Sequence, residues 1–106
     1  MTPERQAVIT AQNALFEAQD KVDEEQAKMI VVNQAMVDAQ KFYDVVLPVQ
    51  QQQEKAQAVA NIVTTQHANA AQFEITQAAY VARDAAQRAL QNAIIAASNA
   101  GAVSIA

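Results

Sequence analysis

The chain has no cysteine, no tryptophan, one glycine and two prolines in 106 residues. Without cysteine there is no disulfide, no thiol nucleophile and no thiolate metal site, and the redox compartment stays undetermined. Scarce Gly and Pro leave almost nothing to punctuate the backbone with turns. The seven Lys and Arg residues are scattered, which argues against binding a nucleic-acid backbone, where clustered cations must displace counterions. Long apolar runs are missing too. The uncharged tail from Ala89 to the end is interrupted by Gln91, Asn92, Ser98 and Asn99, so no transmembrane segment is expected. The start, Met1-Thr2-Pro3-Glu4-Arg5, has no basic region followed by an apolar run and does not read as a signal peptide. Localisation is otherwise open, and an extracellular particle or virion is compatible with it.

What fills the chain is alanine and glutamine, both good helix formers. The hydrophobic fraction is 52%, but nearly half of those residues are alanine, which buries little area, so a lone chain has little material for a core. Charge is lopsided. Residues 1–47 hold eight acidic against four basic side chains and account for the whole net charge of -4. Between Ala56 and Ala82 the one formal charge is Glu74, and such a neutral helical stretch is either a surface that meets other protein or a Gln/Asn-rich polar face that dissolves without charge.

The strongest positive signal is a ladder with a spacing of seven: Val8, Leu15, Val22, Met29, Met36 and Tyr43. Three residues after each rung stands a second column, Ala11, Ala18, Glu25, Val32, Ala39 and Val46, so the two fit the a and d positions of a heptad repeat. A segment patterned in this way is a helix made to lie against other helices. Its start is equally legible, with Thr2 as N-cap, Pro3 at the first helical position and Glu4 complementing the positive end of the dipole.

Nothing else breaks the pattern before Pro48, which lacks a backbone donor and disfavours helical geometry at Leu47. Beyond it runs a ladder in a different phase, Val59, Gln66, Phe73, Tyr80, Gln87 and Ile94, with a half-polar companion column that includes Ile62, Asn69, Thr76 and Arg83. The reading is therefore all-α: a single helical unit over residues 1–106, with helices of about 3–47 and 50–99 and an extended tail over 100–106. The break at Pro48 makes either a helical hairpin, which is favoured, or a kinked rod, with coiled-coil-like packing in an oligomer. Thr64, Thr65 and Asn69 allow a local interruption of the second helix. Gly101 suits a left-handed C-cap, and the alternating Ala102-Val103-Ser104-Ile105-Ala106 suits a short strand.

No catalytic, cofactor or metal residues emerge. His67 is the single histidine and has no Cys, Asp or Glu set around it in sequence, and the run Asp23-Glu24-Glu25 points in three directions on a helix. Glu25 is unusual because it falls on the d column. A polar residue there can fix register or partner number, unless that turn lies beyond its partner and is wet. The chain reads as a non-enzyme with no small-molecule substrate: a structural subunit of a multi-chain helical assembly, such as a virion, tail or fibre component. Its expected partners are further copies of itself or other assembly proteins. The expected helix-packing interface comprises Val8, Leu15, Val22, Met29, Met36, Tyr43, Ile62, Phe73 and Tyr80. A helical partner-binding or regulatory module, or a membrane-active helical protein, is the alternative.

Overall fold

A computed structural model describes residues 2–46 and 52–101. Among these the chain is all-helical. Helix α1 spans Pro3–Val46 and α2 spans Gln52–Asn99. The Thr2 cap forms as its chemistry dictates: Thr2 Oγ1 accepts from the Arg5 amide at 3.2 Å, and the Thr2 carbonyl accepts from the Gln6 amide at 3.0 Å. At the other end Gly101 adopts φ of +74° beyond α2, a conformation that costs glycine nothing. Its amide donates to the Ser98 carbonyl at 2.9 Å and so closes the last turn.

The helices pack as a hairpin. Asn33 of α1 meets Asn69 of α2, while the earlier Glu25 meets the later Gln72 and Thr76, so the partners run in opposite directions. This decides between the hairpin and the kinked rod. The turn at Pro48 and the strand-like tail over 102–106 lie outside the described residues.

Close packing divides the helices into two units, each a pair of helical segments. One joins α1 up to Glu24 with α2 from Gln77, and the other is the hairpin Glu25–Thr76. In the first, Val22 is fully buried, and Ala79 and Ala97 are buried with it. In the second the buried apolar residues are Ala39, Val46 and Ala58.

The second helix is uninterrupted. Thr65 does not break it because its hydroxyl donates back to the carbonyls of Asn61 at 2.8 Å and Ile62 at 3.0 Å, which satisfies the side chain inside the helix. Outward faces are tied by amide pairs one turn apart: Gln19 to Asp23, Gln34 to Asp38, Gln40 to Asp44 and Gln57 to Asn61, at 2.8 to 3.1 Å. Each contributes about 0.2–0.5 kcal/mol to its helix. Glutamine here takes the place that lysine fills on a more charged helix. Circular dichroism of the purified protein should report helix in well over half of the residues, and a spectrum with less than half would contradict this fold.

Candidate interaction surface

The least exposed positions on α1 repeat the two sequence columns. Val8, Leu15, Met29, Met36 and Tyr43 are half-buried and Val22 is buried; of the companion column, Ala11, Ala18 and Val32 are half-buried, and Glu25, Ala39 and Val46 are buried. Helix α2 differs in phase. Its inner face combines the companion column Ile62, Asn69, Thr76, Arg83, Leu90 and Ala97 with Ala58, Thr65, Gln72, Ala79, Ala86 and Ala93, one residue before the expected ladder. Of that ladder, Val59, Gln66, Phe73 and Gln87 are exposed within the chain, and Tyr80 and Ile94 are half-buried. The ladder followed the largest apolar side chains, whereas α2 turns a column of small and polar ones inward. Small side chains allow the two backbones a close approach.

A polar layer sits in the Glu25–Thr76 unit. Glu25 is 1% exposed, so its turn is not wet. Its carboxylate accepts from Gln72 Nε2 at 2.5 Å and from Lys28 Nζ at 3.2 Å. Thr76 Oγ1, also buried, receives a bond from Gln72 Nε2 at 3.3 Å and donates to the Gln72 carbonyl at 2.8 Å. Among the described residues no buried side-chain polar atom lacks a partner, so this layer satisfies the requirement that buried polar groups be hydrogen-bonded. The three consecutive acids diverge: Asp23 takes the Gln19 amide, Glu24 faces Lys21 at 4.0 Å and Glu25 turns into the seam. His67 is exposed. Among the described residues no group of three or more His, Asp or Glu side chains is placed to hold a metal ion.

Because α2 lines the seam largely with small and polar side chains, many large apolar side chains lie outside it. Among the described residues thirteen large hydrophobics are exposed, including Phe16 at 59%, Ile30 at 70% and Phe73 at 53%, whereas the buried apolar set is four alanines and two valines. Much of the apolar bulk thus faces outward, beside an α1 inner column of Leu15, Met29, Met36 and Tyr43 that is half-buried. In the unit that pairs the two chain ends, Leu15, Phe16 and Gln19 line a groove with Arg83 and Gln87. There the Arg83 guanidinium lies 5.1 Å from the Tyr80 ring centroid, a cation–π distance, and 3.3 Å from Asp84. In the other unit, grooves run along both sides of the hairpin. Met36, Val37 and Gln40 face Ile62 and Gln66 on one side; Ala39 and Phe42 face Asn61 and Thr65 on the other.

What these features define is an antiparallel helical hairpin with an exposed apolar exterior. Comparison of the chain with protein-family models, curated proteins and solved structures finds no match in any of the three. No helix is long and apolar enough to cross a membrane, among the described residues.

The outward residues that the sequence reading passed over include Ile9, Phe16, Ile30, Val31, Val37, Phe42, Val63, Ile75, Val81 and Ile95, all exposed. A signal for some of them was present, since Ile9, Phe16, Ile30 and Val37 share a column with spacing in multiples of seven, beside the column that became the seam.

Proposed function

We propose that the chain is a non-enzymatic structural subunit of a multi-chain helical assembly, a virion, tail or fibre-type component, in which other chains cover its outward apolar residues. One observation carries this reading: thirteen large hydrophobics are exposed among the described residues, against six buried apolar ones that are alanine or valine. Covering the exposed parts of those thirteen side chains corresponds to on the order of 10 kcal/mol per chain, as much as the whole net stability of many domains. The heptad spacing supports coiled-coil-like packing as the form of the contacts. A two-helix unit gains most of its helical stability from such packing, since propensity alone is weak.

The expected behaviour is a melting temperature that rises with protein concentration, because association and folding are linked. Met29→Ala combined with Met36→Ala should lower both helicity and association, at about 2–5 kcal/mol per truncated seam residue where burial is complete, and less for these half-buried ones. Thermal melts followed by circular dichroism at several concentrations test it; a melting temperature independent of concentration counts against assembly.

The alternative, a module that offers a helix to one different protein, draws support from the near-neutral composition of α2 from Ala56 to Ala82. The purified chain separates the two readings, since a structural subunit associates by itself and a dedicated partner-binding module stays apart until its partner is added.

A further inference from the structure

One side of the Glu25–Thr76 hairpin differs from the rest of the molecule. Val37 and Gln40 of α1 face Ile62 and Gln66 of α2 across its groove. Ile30 stands one heptad before Val37, and Val59 and Phe73 stand one heptad either side of Gln66, so these residues extend the same face. The hydrogen bond from Asn69 to Asn33 crosses it. In this antiparallel register Ile30 comes level with Phe73. Ile30, Val37, Val59, Val63 and Phe73 are all exposed, by 45–70%. Val37, Gln40, Ile62 and Gln66, which line the groove, and Val59, Val63, Asn69 and Phe73 along α2 are apolar or amide; Ile30, at the edge of the face, also borders a second groove that holds Asp38, and the next rung after Val37 is Asp44.

Resting on the assembly reading above, we propose that this face is the contact between two copies of the chain, packed hairpin against hairpin across a twofold axis. Charge selects the occupant. The chain carries a net charge of -4, all of it from residues 1–47, so two copies repel wherever their acidic surfaces meet. In a twofold contact each patch meets itself, and a patch with charges of one sign would place like against like. The groove at the centre of this face, lined by Met36, Val37, Gln40, Ile62 and Gln66, has none to oppose; Asp38 and Asp44 stand at its margins. A basic partner would instead be drawn to the acidic surfaces of α1, and a partner chosen by charge finds nothing here to read.

The repeat and the area agree. Ile30 and Val37 on α1 and Val59, Gln66 and Phe73 on α2 share a spacing of seven, so the ridges of one hairpin are commensurate with those of another, as in four-helix packing. Five side chains exposed by 45–70%, with the amides of Asn33, Gln40 and Gln66 between them, present several hundred Å² toward the ~800 Å² per partner of a standard interface.

The test compares the wild-type chain with Ala70→Lys and Phe73→Lys, both at exposed positions on or beside this face, and with Ala68→Lys, one heptad from Asn61 of the opposite groove. Masses in solution come from multi-angle light scattering. The proposal expects the wild type and Ala68→Lys to be at least dimeric and both face variants to associate at least tenfold more weakly while remaining helical. A second measurement does not depend on a destabilising change. Because the chain has no native cysteine, Val37→Cys treated with a short bis-maleimide should give a covalent dimer, and Ala68→Cys should not. If the wild type associates but the face variants keep its mass, or if Ala68→Cys cross-links as readily as Val37→Cys, this face is not the contact and the assembly reading survives. If the wild type is itself a monomer, the assembly reading falls and takes this inference with it.

Discussion

Replacing Glu25 by alanine is expected to destabilise the hairpin by about 3 kcal/mol, enough to abolish most of its helical signal in moderate urea. The carboxylate is 1% exposed and is the acceptor that Gln72 Nε2 approaches at 2.5 Å. Removing it leaves the buried amide with two longer bonds, to Thr76 Oγ1 at 3.3 Å and to the Glu25 carbonyl at 3.4 Å, and opens a void where the side chain stood. The Lys28 contact adds little, since its ammonium end is half in water. Glu25→Gln keeps the volume and one acceptor oxygen, so its loss should be smaller. A triple replacement, Glu25→Leu with Gln72→Leu and Thr76→Val, exchanges the layer for apolar packing and is expected to equal or exceed the wild type in stability. Its cost is expected in pairing specificity, because no polar layer then penalises a shifted register. Urea titrations followed by circular dichroism give the first quantity, and the number of distinct species on native gels gives the second. An alanine variant as stable as the wild type would remove Glu25 from the forces that hold the seam.

The second large effect concerns the alanines. Ala58→Leu, and separately Ala79→Leu, should each destabilise by about 1–3 kcal/mol although both raise hydrophobicity. Ala58 is 0% exposed and Ala79 6%, in different units, and the added atoms of leucine must push the opposed helix away. Ala78→Leu serves as the comparison, since Ala78 is exposed and the same change there should alter stability by no more than about 0.5 kcal/mol. Thermal melts at one fixed concentration distinguish the positions. Equal melting temperatures for Ala58→Leu and the wild type would mean that the seam is loose at Ala58.

Much of this fold could be read from the chain. Thr2, Pro3 and Gly101 marked the outer helix ends because capping chemistry is local, and the least exposed positions of α1 coincide with its heptad column although Ile9, Phe16, Ile30 and Val37 form a second one beside it. Direction at Pro48 was harder, since a proline there permits either a turn or a kink and only the cross-helix contacts of Glu25 and Asn33 decide it. On α2 the face turned toward α1 lies one residue before the ladder from Val59 to Ile94, which leaves Val59 and Phe73 outward. Hydrophobic-ladder reasoning assigns the largest apolar side chains to the inside, whereas α2 buries Ala58, Gln72 and Ala79 and leaves Val59 and Phe73 outside. Gln72 and Thr76 had no apolar signature at all, and their burial depends on Glu25 across the hairpin, a pairing that periodicity along one helix does not contain. The outward residues belong to the same problem, because periodicity along one helix does not say which of two adjacent apolar columns faces the other helix.

The claim that other chains cover these outward residues meets its most direct test in sedimentation equilibrium of the purified, unmodified protein at micromolar concentration. The account predicts a mass of at least two chains, rising with concentration, alongside full helicity. A stable, fully helical monomer under those conditions would contradict it.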